Sequence, residues 1–147
     1  MSGKPQNTST GLTPWKAATP CAILAAVARI VSGRASRVVE ARASELGIEE
    51  VHLGVLEKIG TYEAIRDRLG LGDDEICYVG DDLVDVPVLR RVGLGVAPAD
   101  ASEEARMAAR WVTERRGGEG AVREIVTLLL KAQGTWEGIS GSHFKAR

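Results

Sequence analysis

The chain has 147 residues, 44% hydrophobic and 27% charged, which suits one globular domain and excludes a disordered or disulfide-stapled chain. Its 19 basic and 20 acidic side chains give a net charge of −1, so the overall electrostatics make no case for nucleic acid. No run approaches the roughly 18 apolar residues of a membrane span, and Cys21 and Cys77 share no zinc or redox spacing, which reads as two reduced cytosolic thiols.

Residues 1–20 are polar, with three prolines, and read as a disordered head. The apolar run at 21–28 follows basic residues and ends in Ala26-Val27-Ala28, which looks like a signal-peptide cleavage site. Cleavage there would leave Arg29-Ile30-Val31 as a bare stub, so a short helix feeding a strand is the preferred reading. A strand is expected over 27–31, then a turn at Ser32-Gly33-Arg34 opening a helix over 35–46 that stops at Gly47. A short strand follows at 51–53, a helix over 58–69 closed by Gly70, and a β-branched strand at 76–79 ending in Gly80-Asp81-Asp82. Next come a helix around 85–91, a strand at 94–97 and a helix over 102–110 with Ser102 as its N-cap. A last short strand is expected at 111–113 and a helix over 121–133 opened by Gly117-Gly118-Glu119-Gly120. The tail 135–147 shows no period and is expected to be mobile. Short apolar strands alternating with amphipathic helices predict a doubly wound α/β fold with a parallel sheet, and such sheets carry ligands at the carboxyl ends of their strands.

Three polar clusters fall at those ends. The densest is Tyr78-Val79-Gly80-Asp81-Asp82-Leu83-Val84-Asp85, with three carboxylates in five residues, a repulsive arrangement unless a cation or solvent screens it. A magnesium ion would take one or two such oxygens plus phosphate and water; helix N-capping by Asp81 or Asp82 is the competing explanation. Asp81 and Asp85 are four apart and would face the same way on entering a helix. Ser32-Gly33-Arg34 offers a hydroxyl, backbone N–H groups and a guanidinium to a phosphate, or else an ordinary serine cap and a solvated arginine. Lys58 stands at a helix start, against the helix dipole, which suggests an anion or carboxylate partner unless it is simply solvated. His52 and His143 have no metal-spaced partner, Trp111 reads as core, and the glycine-rich loop at 117–120 reads as a chain reversal before an anion nest.

Taken together, VARIVSGRAS, EARASELGIEEVHLGVLEK, YVGDDLVDVPVLRRVGLGVAPADA and WVTERRGGEGAVREIVTLLLKAQG resemble the haloacid dehalogenase superfamily. The closer likeness is to its capless sugar-phosphate phosphatases of the 3-deoxy-D-manno-octulosonate 8-phosphate type, which serve lipopolysaccharide precursor synthesis. The resemblance covers about residues 27–134, within a domain expected over 21–134, and implies a cytoplasmic, homotetrameric, magnesium-dependent hydrolase of a phosphorylated sugar acid, with no nucleic-acid or membrane partner. It implies catalytic roles for Ser32 and Lys58, substrate contacts from Gly33 and Arg34, and metal binding or its support by Asp81, Asp82 and Asp85. The mechanism it implies is attack by an aspartate on a phosphomonoester, then hydrolysis of the aspartyl-phosphate.

One departure stands against it. The family's D-x-D-G nucleophile loop should precede Ser32, yet residues 1–31 contain Lys4, Lys16 and Arg29 and no carboxylate; the first acidic residue is Glu40. The first central strand and the β-flap that follows it are accordingly expected to be missing. A wrong start or frameshift, a degenerate relative that keeps fold and assembly without turnover, or a piece supplied by another polypeptide would each explain this. The expectation is an impaired enzyme; the alternatives are a non-catalytic phosphatase-like binding or assembly module and, less favoured, a receiver-like domain.

Overall fold

A computed structural model describes residues 28–144; the head and the apolar run before Ala28 lie outside the described residues. In chain order the elements are β1 (Ile30–Val31), α1 (Arg37–Glu45), β2 (Val51–His52), α2 (Lys58–Leu69), a 3-10 turn (Asp73–Glu75), β3 (Cys77–Val79), a second 3-10 turn (Leu83–Asp85), α3 (Val86–Leu89), β4 (Leu94–Ala97), α4 (Glu103–Ala108), β5 (Trp111–Val112), α5 (Ala121–Ala132) and α6 (Trp136–Phe144). Every described strand pair is parallel, as the alternation of strands and helices requires. The strands form two ladders, β1-β2 and β3-β4-β5. No helix of the described residues is long and apolar enough to cross a membrane.

Local chemistry explains most element ends. Gly70 closes α2 in the left-handed region at φ 65°, donating to the carbonyl of Asp67, while the Leu71 amide bonds the carbonyl of Arg66. The Ser102 hydroxyl accepts from the Ala105 amide at 3.2 Å and fixes the start of α4, with Glu103 and Glu104 favourably placed in its first turn.

Two expectations are corrected. Ser32-Gly33-Arg34 does not open a helix: the Ser32 hydroxyl accepts from the Arg34 amide at 3.2 Å in a local turn, and α1 begins only at Arg37. The tail is not wholly irregular. After Gly134, the Thr135 amide and hydroxyl both bond the Leu130 carbonyl, and Trp136 starts α6 with its ring 5.9 Å from the Lys131 ammonium. The local polar turn restarts a helix that apolar periodicity does not reveal.

α3 is the keystone of the core. Val88 packs with Tyr62 and Val92, and Leu89 packs with Ala97, Ala101 and Ala105; Tyr78 of β3 touches both groups. α3 therefore locks α2 on one side and β4 and α4 on the other, which fixes the start of α2 relative to the end of β3.

Candidate active site

β3 ends where Gly80 donates to the Val96 carbonyl at 3.0 Å and the chain turns into Asp81 and Asp82. Asp82 caps the 3-10 turn through its Oδ1, which accepts from the Leu83 amide at 2.7 Å. Asp85, at the end of that turn, folds back so that its Oδ2 accepts from the amides of Asp81 at 3.0 Å and Asp82 at 3.1 Å. Its Oδ1 accepts from Lys58 Nζ at 2.7 Å and from the Tyr78 hydroxyl at 2.6 Å. Four donors thus converge on one carboxylate that is only 1% exposed.

Burial alone would raise the Asp85 carboxyl, but the hydrogen bonds from Lys58, Tyr78 and the Asp82 amide outweigh it and hold it below the usual range. Burial and the adjacent Asp85 push the Tyr78 hydroxyl upward, so it stays a donor. Lys58 is the first residue of α2, and the carboxylate partner that its position against the dipole calls for is Asp85. Gly80 permits the packing: a Cβ there would lie 2.4 Å from the Asp85 Cβ and 3.1 Å from Tyr78 Cε1.

The three carboxylates expected together at a metal do not converge; among the described residues no group of three or more metal-ligating side chains is found. Both Asp85 oxygens are spent on protein donors and Asp82 is bonded to its own turn. Asp81 differs. Its carbonyl accepts from the Ser102 amide at 2.8 Å, which pins the backbone, while its carboxylate is exposed and accepts no hydrogen bond from the described residues. One such carboxylate suits magnesium, which commonly takes its other ligands from water and phosphate.

Ser32 sits at the end of β1. Its amide donates to the His52 carbonyl at 2.8 Å, and its own carbonyl accepts from the Val55 amide at 2.9 Å, tying the turn to the loop that leads into Lys58. Gly33 lies against that loop, where an added Cβ would come 3.6 Å from the Val55 carbonyl oxygen. Arg34 is exposed and pairs with no carboxylate among the described residues. The structure therefore joins Lys58 with Asp85 directly and, through that carboxylate, with the amides of Asp81 and Asp82, and it places Ser32, Gly33 and Arg34 in a strand-end turn tied to the loop before Lys58, with no hydrogen bond to Lys58 or Asp81.

Sequence reasoning missed the role of Tyr78. The available signal was a phenol two residues before Gly80 in an otherwise apolar strand. His52 bonds Glu50 at 2.9 Å, away from this cluster, and the His143 side chain lies outside the described ones. Cys77 is a free, half-buried thiol that burial pushes up to about 11; Cys21 lies outside the described residues. Two open hollows lie elsewhere, one beside α1 and β2 and the other bounded by Trp111, Arg115, Lys131 and Trp136.

Comparison with known proteins identifies the family to which this fold and these motifs belong. The chain is 41% identical over 112 residues to the 3-deoxy-D-manno-octulosonate 8-phosphate phosphatase KdsC of Yersinia pestis, covering 76% of this chain and 60% of that protein. The chain thus spans about 60% of the length of the curated relatives it matches. The crystal structure of the corresponding Moraxella catarrhalis phosphatase, in complex with magnesium, phosphate and KDO, superposes with a TM-score of 0.76 at 34% identity, covering 78% of this chain and 66% of that one. The Yersinia pestis enzyme structure gives a TM-score of 0.75 at 39% identity, covering 80% and 64%. The resemblance carried by the motifs is borne out, and with residues 26–125 matching the haloacid dehalogenase-like hydrolase family, the chain belongs to that family.

Proposed function

We propose that this chain is the phosphate-gripping and metal-positioning part of a magnesium-dependent phosphomonoester hydrolase whose substrate is 3-deoxy-D-manno-octulosonate 8-phosphate. The observation that carries this reading is the buried Asp85 carboxylate, which holds the Lys58 ammonium and the Asp81 backbone in one cluster. The Moraxella catarrhalis relative, bound to magnesium, phosphate and KDO, supports the choice of ligands.

In this reading Lys58 neutralises phosphoryl oxygens and Ser32 donates its hydroxyl to one of them. Gly33 and Arg34 contact the phosphate or the sugar acid, and Asp81 holds the ion. Magnesium, when bound, supplies charge stabilisation to the phosphoryl group. Asp82 and Asp85 keep the loop in shape. The nucleophilic carboxylate is not among residues 1–31, which hold no Asp or Glu, so the 147-residue polypeptide binds phosphate and magnesium without turnover. A cytoplasmic homotetramer acting in lipopolysaccharide precursor synthesis belongs to the same reading.

Calorimetry and phosphate-release assays on the full chain test it. Inorganic phosphate should bind and weaken in Ser32→Ala, MgCl2 should bind and weaken in Asp81→Asn, and no phosphate should be released from the sugar ester. Absence of both binding events overturns the assignment. Release that disappears in Asp81→Asn overturns the claim of no turnover. A second reading, a non-catalytic assembly module, is favoured by the same acid-free head; it predicts a stable oligomer whose formation ignores both substitutions.

A further inference from the structure

Tyr78 is a side chain with two tasks. Its ring packs against both core groups, touching the cluster of Leu89, Ala97, Ala101 and Ala105 and that of Tyr62, Val88 and Val92. Its hydroxyl leaves this apolar setting to reach Asp85 Oδ1 at 2.6 Å, the oxygen that Lys58 also holds, at 2.7 Å.

The two donors to Oδ1 differ in stiffness. Lys58 reaches it on a flexible four-carbon stem, whereas the phenol is rigid and its ring is fixed by packing. Rotation of the Asp85 carboxylate would carry Oδ2 away from the amides of Asp81 and Asp82, its other two partners. A rigid donor at Oδ1 opposes that rotation. The close approach at Gly80 shows how little room separates the three residues: a Cβ there would fall 2.4 Å from the Asp85 Cβ and 3.1 Å from the Tyr78 ring.

We infer that Tyr78 is a positioning residue, whose hydroxyl fixes the rotation of the Asp85 carboxylate and thereby the backbone from which Asp81 projects. The consequence for metal binding rests on the proposed function, whereas the consequence for the backbone does not.

Amide exchange measured by NMR on the ligand-free chain tests the backbone claim. Tyr78→Phe keeps the ring and removes only the donor. Exchange at the amides of Asp81 and Asp82 should rise roughly fivefold while that of Val96 in β4 is unchanged. A merely structural loss would raise all three together, and that outcome, or no change at any of them, overturns the inference. Where wild type binds MgCl2, Tyr78→Phe should weaken that binding roughly fivefold with the melt still cooperative. An affinity unchanged within about twofold overturns the inference as well. A wild type that binds neither MgCl2 nor inorganic phosphate overturns the proposed function and leaves the exchange comparison to decide on Tyr78. Should Tyr78→Phe fail to fold, the wild type decides: a resolved Tyr78 hydroxyl proton with a nuclear Overhauser contact to the Asp85 Cβ protons supports the inference, and its absence overturns it.

Discussion

Asp85 accepts from an ammonium, a phenol and two backbone amides, so removing any one donor leaves a buried charge less well matched. Lys58→Ala should therefore destabilise the chain by about 3 kcal/mol in urea unfolding, as expected when one partner of a buried pair is deleted. Arg42→Ala is the control: the Arg42–Glu45 pair is 66% and 63% exposed, so its loss should leave the urea midpoint nearly unchanged. At this scale the sequence was half legible. The density of carboxylates after an apolar strand pointed to the loop that Asp85 organises, and the position of Lys58 against the helix dipole pointed to its anionic partner. The division of labour among the acids was not legible. A spacing of four suggests one helix face for Asp81 and Asp85, but the segment is a 3-10 turn in which Asp85 folds back onto the amides before it. Tyr78 escaped because an aromatic residue in an apolar strand reads as core until its hydroxyl has a partner.

Among the elements, α2 and β4 kept the bounds their patterns predicted, because each has strong local determinants: Gly70 at the end of one and a β-type apolar run in the other. The start of α1 and the existence of α6 did not follow from periodicity. Ser36 makes no side-chain cap, and α6 depends on the turn that Thr135 closes onto Leu130. A charged cluster joins β1, β2 and α2. Glu50, just before β2, bonds Arg29 at 2.5 Å, His52 at 2.9 Å and Arg68 of α2. Hydrogen bonds from Arg68 and then His52, with Arg29 beyond them, lower the Glu50 carboxyl from 4.5 to about 2. Its folded pKa lies below its unfolded value, so its stabilisation is present above about pH 4.5 and is lost as pH falls towards about 2. Urea midpoints measured between pH 5 and pH 2.5 should fall less steeply in Glu50→Gln than in wild type.

For the whole molecule, the alternation of strands and helices made the α/β class legible, and the motifs made the family legible. The arrangement of the sheet was not, because the order and grouping of strands depend on contacts far apart in the chain. The described strands have two to four residues each and fall into two ladders. Among the described residues much of the buried apolar set is small: Ala43, Ala97, Ala101, Ala105 and Ala121 stand beside Tyr62, Val88, Leu89, Val92, Val96 and Ile125. Small side chains remove little apolar area from water, so the margin over conformational entropy is narrow. Calorimetry should show the chain melting below about 60 °C, within or under the usual mesophile range; a cooperative transition above that temperature would contradict this reading of the core.

The placement of Asp85 has one further consequence. Its ties reach the first residue of α2, the strand β3 and the chain reversal beyond it, so the same bonds that shape the chemical centre also splice distant stretches of the polypeptide. A descendant freed from any demand for turnover would still suffer in folding if it discarded Lys58, Tyr78 or Asp85. Lys58, Tyr78 and Asp85 thus hold the architecture together as well as the centre, and selection for stability alone is enough to keep the cradle standing.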